Sequence, residues 1–349
     1  MTPRSVPGFS SIIGQAKPVK LLTTLLQRET LPHALLFTGI DGVGKRTAAK
    51  TLAMACNCVP SNRLSAHPKD PVLDLPCGQC RSCRKIESGT HPDILALAPT
   101  DGIIRIAQVR QLCETLSLKP YEARRRVVVL ADAQALNPEA GNALLKVLEE
   151  PPDRTLLILT ARQRSDLLPT IVSRCQHIRF GPLAASHVAK LLTASRDLDP
   201  EAAGIIAQLS HGSFTRALKL HRDNWITRRD WLIDGLTKLP SQTVTLKLAW
   251  AAQLGQNKAH LEDALEVLQI WLRDLAVYRH NPQKIINKDL TEKIQYASQG
   301  VDPKAFIAKI HVLAKTQKKI EANANIRLAL ETMVLQLTKP GSADPVLNA

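Results

Sequence analysis

The sequence has no run of about 18 apolar residues, and its first ten positions hold no apolar stretch of the kind that follows the basic start of a signal peptide. Neither a membrane-spanning helix nor a secretory leader is therefore expected, and the expected compartment is the cytoplasm. Self-similarity at a period of about 20 to 50 residues is missing too, which excludes solenoid and propeller arrays. Acidic charge is in deficit: 46 lysines and arginines face 31 aspartates and glutamates, a net charge of +15. Divided at Pro182 and Asp223, the successive parts carry +9, +1 and +5. Such a surplus attracts polyanions through counterion release, so nucleic acid is a candidate neighbour and a solvated basic surface the alternative. With 44% hydrophobic and 22% charged residues the chain is not of the disordered class, and 349 residues suggest about two or three domains.

What is present begins with the run Gly39-Ile40-Asp41-Gly42-Val43-Gly44-Lys45-Arg46. A short apolar segment, His33 to Thr38, precedes it, and Thr47 to Cys56 reads as helix. Strand, glycine loop and helix in that order build a phosphate cradle, G-x-x-x-x-G-K-[ST], in which backbone amides and the lysine hold phosphate and the final hydroxyl holds magnesium. Gly39, Gly42, Gly44, Lys45 and the following Thr47 fit a nucleotide-binding loop, but Arg46 stands where the hydroxyl belongs. Two further apolar runs, Arg126 to Asp132 and Thr155 to Thr160, alternate with helical stretches such as Asn142 to Glu150, which Pro151-Pro152 stops. Continuous apolar strands of this kind suit a parallel sheet covered by helices on both faces.

An active ATPase of this architecture follows its second core strand with Asp-Glu, the aspartate for magnesium and the glutamate for the attacking water. Here the strand leads to Asp132-Ala133. With Arg46, two independent catalytic positions are altered, so a nucleotide-switch shape without hydrolysis is expected. After the third strand, Ser173-Arg174-Cys175 follows a helical turn and offers an arginine that could act in trans on phosphoryl transfer or sit in a surface ion pair.

Seven cysteines in a cytosolic chain point to metal ligands or buried thiols rather than disulfides. Cys77, Cys80 and Cys83 lie at successive C-x-x-C intervals, tight enough for three thiolates to meet on one tetrahedral zinc ion. Cys58 is the best fourth ligand and Cys56 the alternative. Between Val59 and Pro76 runs a proline-rich excursion that a metal clip would order; His67 and His91 lie near and are not expected to ligate. Cys113 and Cys175 read as buried thiols.

Past Pro182 the strand signal fades. Ser186 to Leu220 reads as short helices broken near Asp199-Pro200 and His211-Gly212. Leu261, Leu265, Leu268, Leu272 and Leu275 recur at helical spacing, as do Phe306, Ile310, Leu313 and Ile320, and Leu328 to Leu337 closes the series. The tail from Pro340 to Ala349 is expected to fray.

As an ordered set, Ile13-Gly14-Gln15, the loop Gly39 to Lys45, the knuckle Cys77 to Cys83, Gly89-Thr-His-Pro-Asp93, Asn142 to Pro152, Ser173-Arg174-Cys175 and Asn323 to Glu331 resemble the clamp-loader branch of the AAA+ proteins over about residues 8 to 338. The resemblance implies an AAA+ core at 1–182 with a zinc module at about 56–85, a helical lid at 183–223, an all-α collar at 224–340 and a tail at 341–349. It also implies the stationary, non-hydrolysing member of a five-subunit ring within the DNA polymerase III assembly. Its implied partners are ATP-binding motor subunits of the gamma/tau type, the clamp-opening delta subunit, the sliding clamp and primed DNA. Arg174 would reach a neighbouring motor subunit's ATP site, zinc would be structural, and ATP or ADP could be held without turnover at Lys45 and Asp132. Arg216 lies one place off the motor subunits' lid arginine and takes no such role. A motor-type ATPase and a stand-alone zinc-dependent nucleic-acid module are the competing readings; a glutamate beside Asp132 would mark the first, and strong, salt-steep DNA affinity the second.

Overall fold

Residues 8–59, 75–196, 198–256 and 260–338 are described by a computed structural model. His67, most of the proline-rich excursion and the tail lie outside them. Spatial proximity divides the chain into two units, Met1–Val188 with Gly212–Arg216, and Ala189–His211 with Ala217–Ala349.

The first unit is built on five parallel strands: β1 (Ala34–Thr38), β2 (Ile94–Leu97), β3 (Arg126–Leu130), β4 (Thr155–Ala161) and β5 (Gln176–Arg179), in the order β2-β3-β4-β1-β5. Leu36 pairs with Leu159 of β4 on one side and with His177 of β5 on the other. Side chains alternate between faces along a strand, so each face needs its own cover. Leu36, Val128, Leu130, Leu157 and Leu159 pack under α4 (Ile106–Ser117), α5 (Pro138–Glu149) and α6 (Pro169–Val172). Leu35, Phe37, Val127, Leu156 and Ile158 pack under α1 (Ala16–Gln27) and α2 (Lys45–Asn57). This is the α/β class expected, with helices on both faces. A short helix, α3 (Arg81–Ser88), begins inside the cysteine knuckle, with Cys80 as its cap and Cys83 in its first turn.

Beyond Pro182 there are only helices among the described residues: α7 (Ala185–Arg196), α8 (Pro200–Leu209), α9 (Phe214–Arg222), α10 (Trp225–Lys238), α11 (Val244–Gly255), α12 (Leu261–Tyr278), α13 (Thr291–Ser298), α14 (Pro303–Glu321) and α15 (Ile326–Leu337). Asp199 caps α8 by accepting from the amides of Glu201 and Ala202, with Pro200 at the first helical position, where its missing N–H costs nothing. In α12 all five spaced leucines are buried, and the helix packs on α10, α13 and α14. The last series needs a correction. Ile310 and Ile320 are only half-buried, and Leu328 is 63% exposed, because α15 turns Ala329, Leu330, Met333, Val334 and Leu337 inward instead.

Candidate functional site

In a parallel sheet, ligands gather at the carboxyl ends of the strands where the strand order reverses. β1 lies between β4 and β5, and at its end the Gly39 amide donates to the Ala161 carbonyl at 3.2 Å and the Arg162 carbonyl at 3.0 Å. The chain then bends through Gly42, at φ +79°, and Gly44, at φ +97°, into the first turn of α2. A side chain at Gly42 is excluded twice, by its left-handed backbone and because a Cβ there would lie 2.5 Å from the Thr215 nitrogen. The loop is clamped from two sides. Buried Gln15, from the Ile13-Gly14-Gln15 run, donates to the carbonyls of Val43 at 3.1 Å and Gly181 at 2.7 Å, and the Phe214 amide donates to the Gly42 carbonyl at 3.1 Å.

Lys45 is buried, and its ammonium donates to the carbonyls of Gly39 and Ile40, with Asp41 at 3.7 Å. Burial pushes its pKa below the usual lysine value, against the pull of Asp41 and then Asp132. Arg162, just past β4, holds Asp41 by a 3.0 Å ion pair, a partner that sequence spacing did not single out. Asp132 sits in left-handed backbone with its amide bonded to Thr160 Oγ1 at 3.1 Å, and Ala133 is fully buried. Arg46 and Thr47 are both exposed on the first turn of α2. A magnesium site of this architecture needs an oxygen at position 46, where this chain has Arg46, and the strand-end hydroxyls of Thr38 and Thr160 are engaged with His177 and the Asp132 amide. The residues present therefore do not fit magnesium.

Arg174 emerges just beyond α6. Its guanidinium donates to the Thr170 carbonyl at 2.9 Å and pairs with Glu149 of α5 at 2.6 Å, and a third of the side chain stays exposed. Cys175 beside it is half-buried, and burial pushes its thiol up to about 11. Cys113 is half-buried too, against the α4–α5 face of the core.

The sulfurs of Cys58, Cys77, Cys80 and Cys83 lie within 4.8 Å of one another. Tetrahedral zinc with 2.3 Å sulfur bonds sets its ligands about 3.8 Å apart, so the cluster fits that ion with little adjustment. Cys58 ends α2 and Cys80 caps α3, which brings the two helices to one point. Backbone amides of Cys77, Cys80 and Cys83 donate to the sulfurs of Cys58, Cys77 and Cys80 at 3.3 to 3.5 Å, the pattern that stabilises thiolates. The Cys83 thiol's hydrogen bond draws the Cys58 pKa down to about 5, and Cys83 is raised in return. Cys56 is not in the cluster; burial raises its thiol to about 11. His91 is also apart, its Nδ1 accepting from the Asp93 amide.

Beside this module, Asp93 is a device that the sequence showed only as part of a motif. Its buried carboxylate accepts from the amides of Tyr121, Glu122 and Ala123, each at 2.8 Å, and faces Arg126 at 3.5 Å. Burial alone would raise its pKa, but the three amides and Arg126 prevail and hold it below the usual carboxylate value. Asp93→Ala is expected to destabilise the chain by on the order of 3–5 kcal/mol at pH 7, since it strands three donors and a buried cation. A carboxylate with a depressed folded pKa contributes fully above its unfolded value of about 4 and loses that contribution as pH falls through the folded pKa. Urea midpoints of the two proteins should thus differ by a constant amount from pH 5 to 8 and converge in strong acid.

Residues 14–184 match a family model described as DNA polymerase III, delta subunit, and residues 223–339 match one described as DNA polymerase III, delta subunit, C terminal. The chain is 32% identical to DNA polymerase III subunit delta' of Pseudomonas aeruginosa, over 87% of this chain and 91% of that one. It is 29% identical to the delta' subunit of Bacillus subtilis, over 93% and 96%. It is 26% identical to the DNA polymerase III subunit tau of the same organism, over 94% of this chain and 61% of that protein. By these matches the chain belongs to the family of DNA polymerase III delta' subunits.

Proposed function

We propose that this chain is the stationary, non-hydrolysing subunit of a DNA polymerase III clamp loader, and that it lends Arg174 to the ATP site of a neighbouring motor subunit. The observation that carries the reading is a split: a phosphate loop with Arg46 and Ala133 in place of its catalytic groups, and an outlying arginine just beyond α6. The likeness to both delta' and tau proteins supports a ring of related subunits. In it a core at 1–182, a lid at 183–223 and a collar at 224–340 would assemble with gamma/tau-type and delta subunits to place the sliding clamp on primed DNA. Cys58, Cys77, Cys80 and Cys83 hold structural zinc in this reading, and Gly39, Gly42, Gly44, Lys45 and Thr47 hold ATP or ADP without turnover.

The isolated, zinc-loaded chain should show no sustained ATP hydrolysis. Radiolabelled ATP followed over many equivalents tests this: repeated turnovers that vanish in Lys45→Ala would overturn the reading in favour of a motor subunit.

A further inference from the structure

Building on the proposal that the loop retains a nucleotide, we infer that what it binds is a magnesium-free nucleoside diphosphate, with the Arg46 guanidinium in the metal's place. Arg46 lies on the first turn of α2, directly after the loop lysine, where a hydroxyl would ligate the ion. It is exposed, and its side chain has no hydrogen bond or ion pair among the described residues. The other cation of the loop differs in this respect. Lys45 is already neutralised by Asp41 and bonded to two carbonyls, and Asp41 in turn is shared with Arg162. Arg46 is therefore the uncompensated positive charge at the helix N-terminus, beside amides that already favour an anion.

A divalent cation and a guanidinium compete for the same phosphate oxygens and repel each other at contact distance. Arginine brings two parallel donors that match a phosphate edge, so it can replace the ion's charge and its bridging geometry together. Thr47 does not restore a metal ligand, because one residue along a helix turns the side chain by about 100°. A diphosphate suits such a site better than a triphosphate. It carries less charge for Arg46 and Lys45 to offset, and it holds magnesium more weakly, so less of it arrives with an ion to be stripped.

Calorimetric titration of the zinc-loaded full chain with ADP, in magnesium-free buffer and again with millimolar magnesium, tests this without a chelator that would attack the cysteines. Because magnesium draws ADP into a complex that Arg46 repels, the expected Kd is larger in magnesium by about two- to tenfold. Arg46→Ala should weaken binding by about tenfold, and Arg46→Thr should make it magnesium-dependent by a similar factor. Melting curves of both variants should overlay the parent, since Arg46 touches nothing that holds the fold. Unchanged or tighter ADP binding by wild type in magnesium, or equal binding by wild type and Arg46→Ala, would remove the role of Arg46 and leave nucleotide retention standing. Absence of ADP binding by wild type would remove both, without bearing on Arg174, whose test is hydrolysis at another subunit.

Discussion

Arg174→Ala should cost the adjoining motor site about 10³ in its rate of ATP hydrolysis while leaving assembly intact, the lower end of what a trans arginine supplies to phosphoryl transfer. The expectation separates cleanly from a structural role because the side chain does little for this chain's own fold. Its partner Glu149 is half exposed, and an ion pair in that setting contributes about 0–1 kcal/mol. The backbone of the turn is held independently, by amides of Ile171, Val172 and Ser173 donating to Leu168 and Pro169 carbonyls. Arg174→Lys should fail to rescue, since an ammonium cannot present the planar fork. Glu149→Ala should lower the rate less than tenfold, because it frees Arg174 without removing it. Single-turnover hydrolysis in a reconstituted loader with primed DNA, with native mass measurement of the ring, reads both quantities. A stimulated rate unchanged in Arg174→Ala would assign the arginine to its surface pair with Glu149 alone.

The parts of the fold that stood out in the sequence are those whose physics is one-dimensional. β1, β3 and β4 lie in the middle of the sheet and bury both faces, so each is a continuous apolar run; their residues are buried with the single exception of Val129. The edge strands passed unnoticed for the converse reason. β2 is half-buried along most of its length, and β5, Gln-His-Ile-Arg, buries only Ile178. Half-covered strands four residues long give no pattern distinct from a loop.

The same divide runs through the site. Glycine spacing located the phosphate loop and cysteine spacing located the knuckle, because both are local in sequence. Long-range polar partners were not legible. Arg162 meets Asp41 across 121 positions, Gln15 reaches Gly181 across 166, and Asp93 gathers amides about 28 to 30 positions away. Nothing in the composition of either partner announces such a pair; only the folded sheet brings strand ends and loops to one edge. Leu328 erred in the opposite direction: its spacing matched a buried stripe, but the inward face of α15 is set by the neighbours that helix meets, α11 and α14.

Cys83→Ser should eject one zinc per chain and lower the thermal stability of the unit that holds it. Cys83 is fully buried and packs with Met54, Cys58 and Ile86, so the serine hydroxyl would replace a soft ligand in an apolar setting with no partner suited to it. Structural zinc in small domains contributes apparent free energies of about 10–16 kcal/mol, of which only the part coupled to the rest of the unit appears in its melting. That coupling is visible at two points. Lys50 of α2 pairs with Glu87 of α3 at 3.0 Å, and Lys85 of α3 pairs with Glu122 at 2.5 Å, in the segment whose amides bind Asp93. A coupled loss of only 3 kcal/mol would move the midpoint by roughly 6–12 °C for a unit of this size. Cys77→Ser and Cys80→Ser should behave alike, whereas Cys56→Ser and Cys113→Ser, outside the cluster, should retain the ion. Elemental analysis beside the melting curves decides the matter. Zinc retained after loss of a clustered cysteine, or absent from the native protein, would leave four neighbouring thiols with no metal to join α2 to α3.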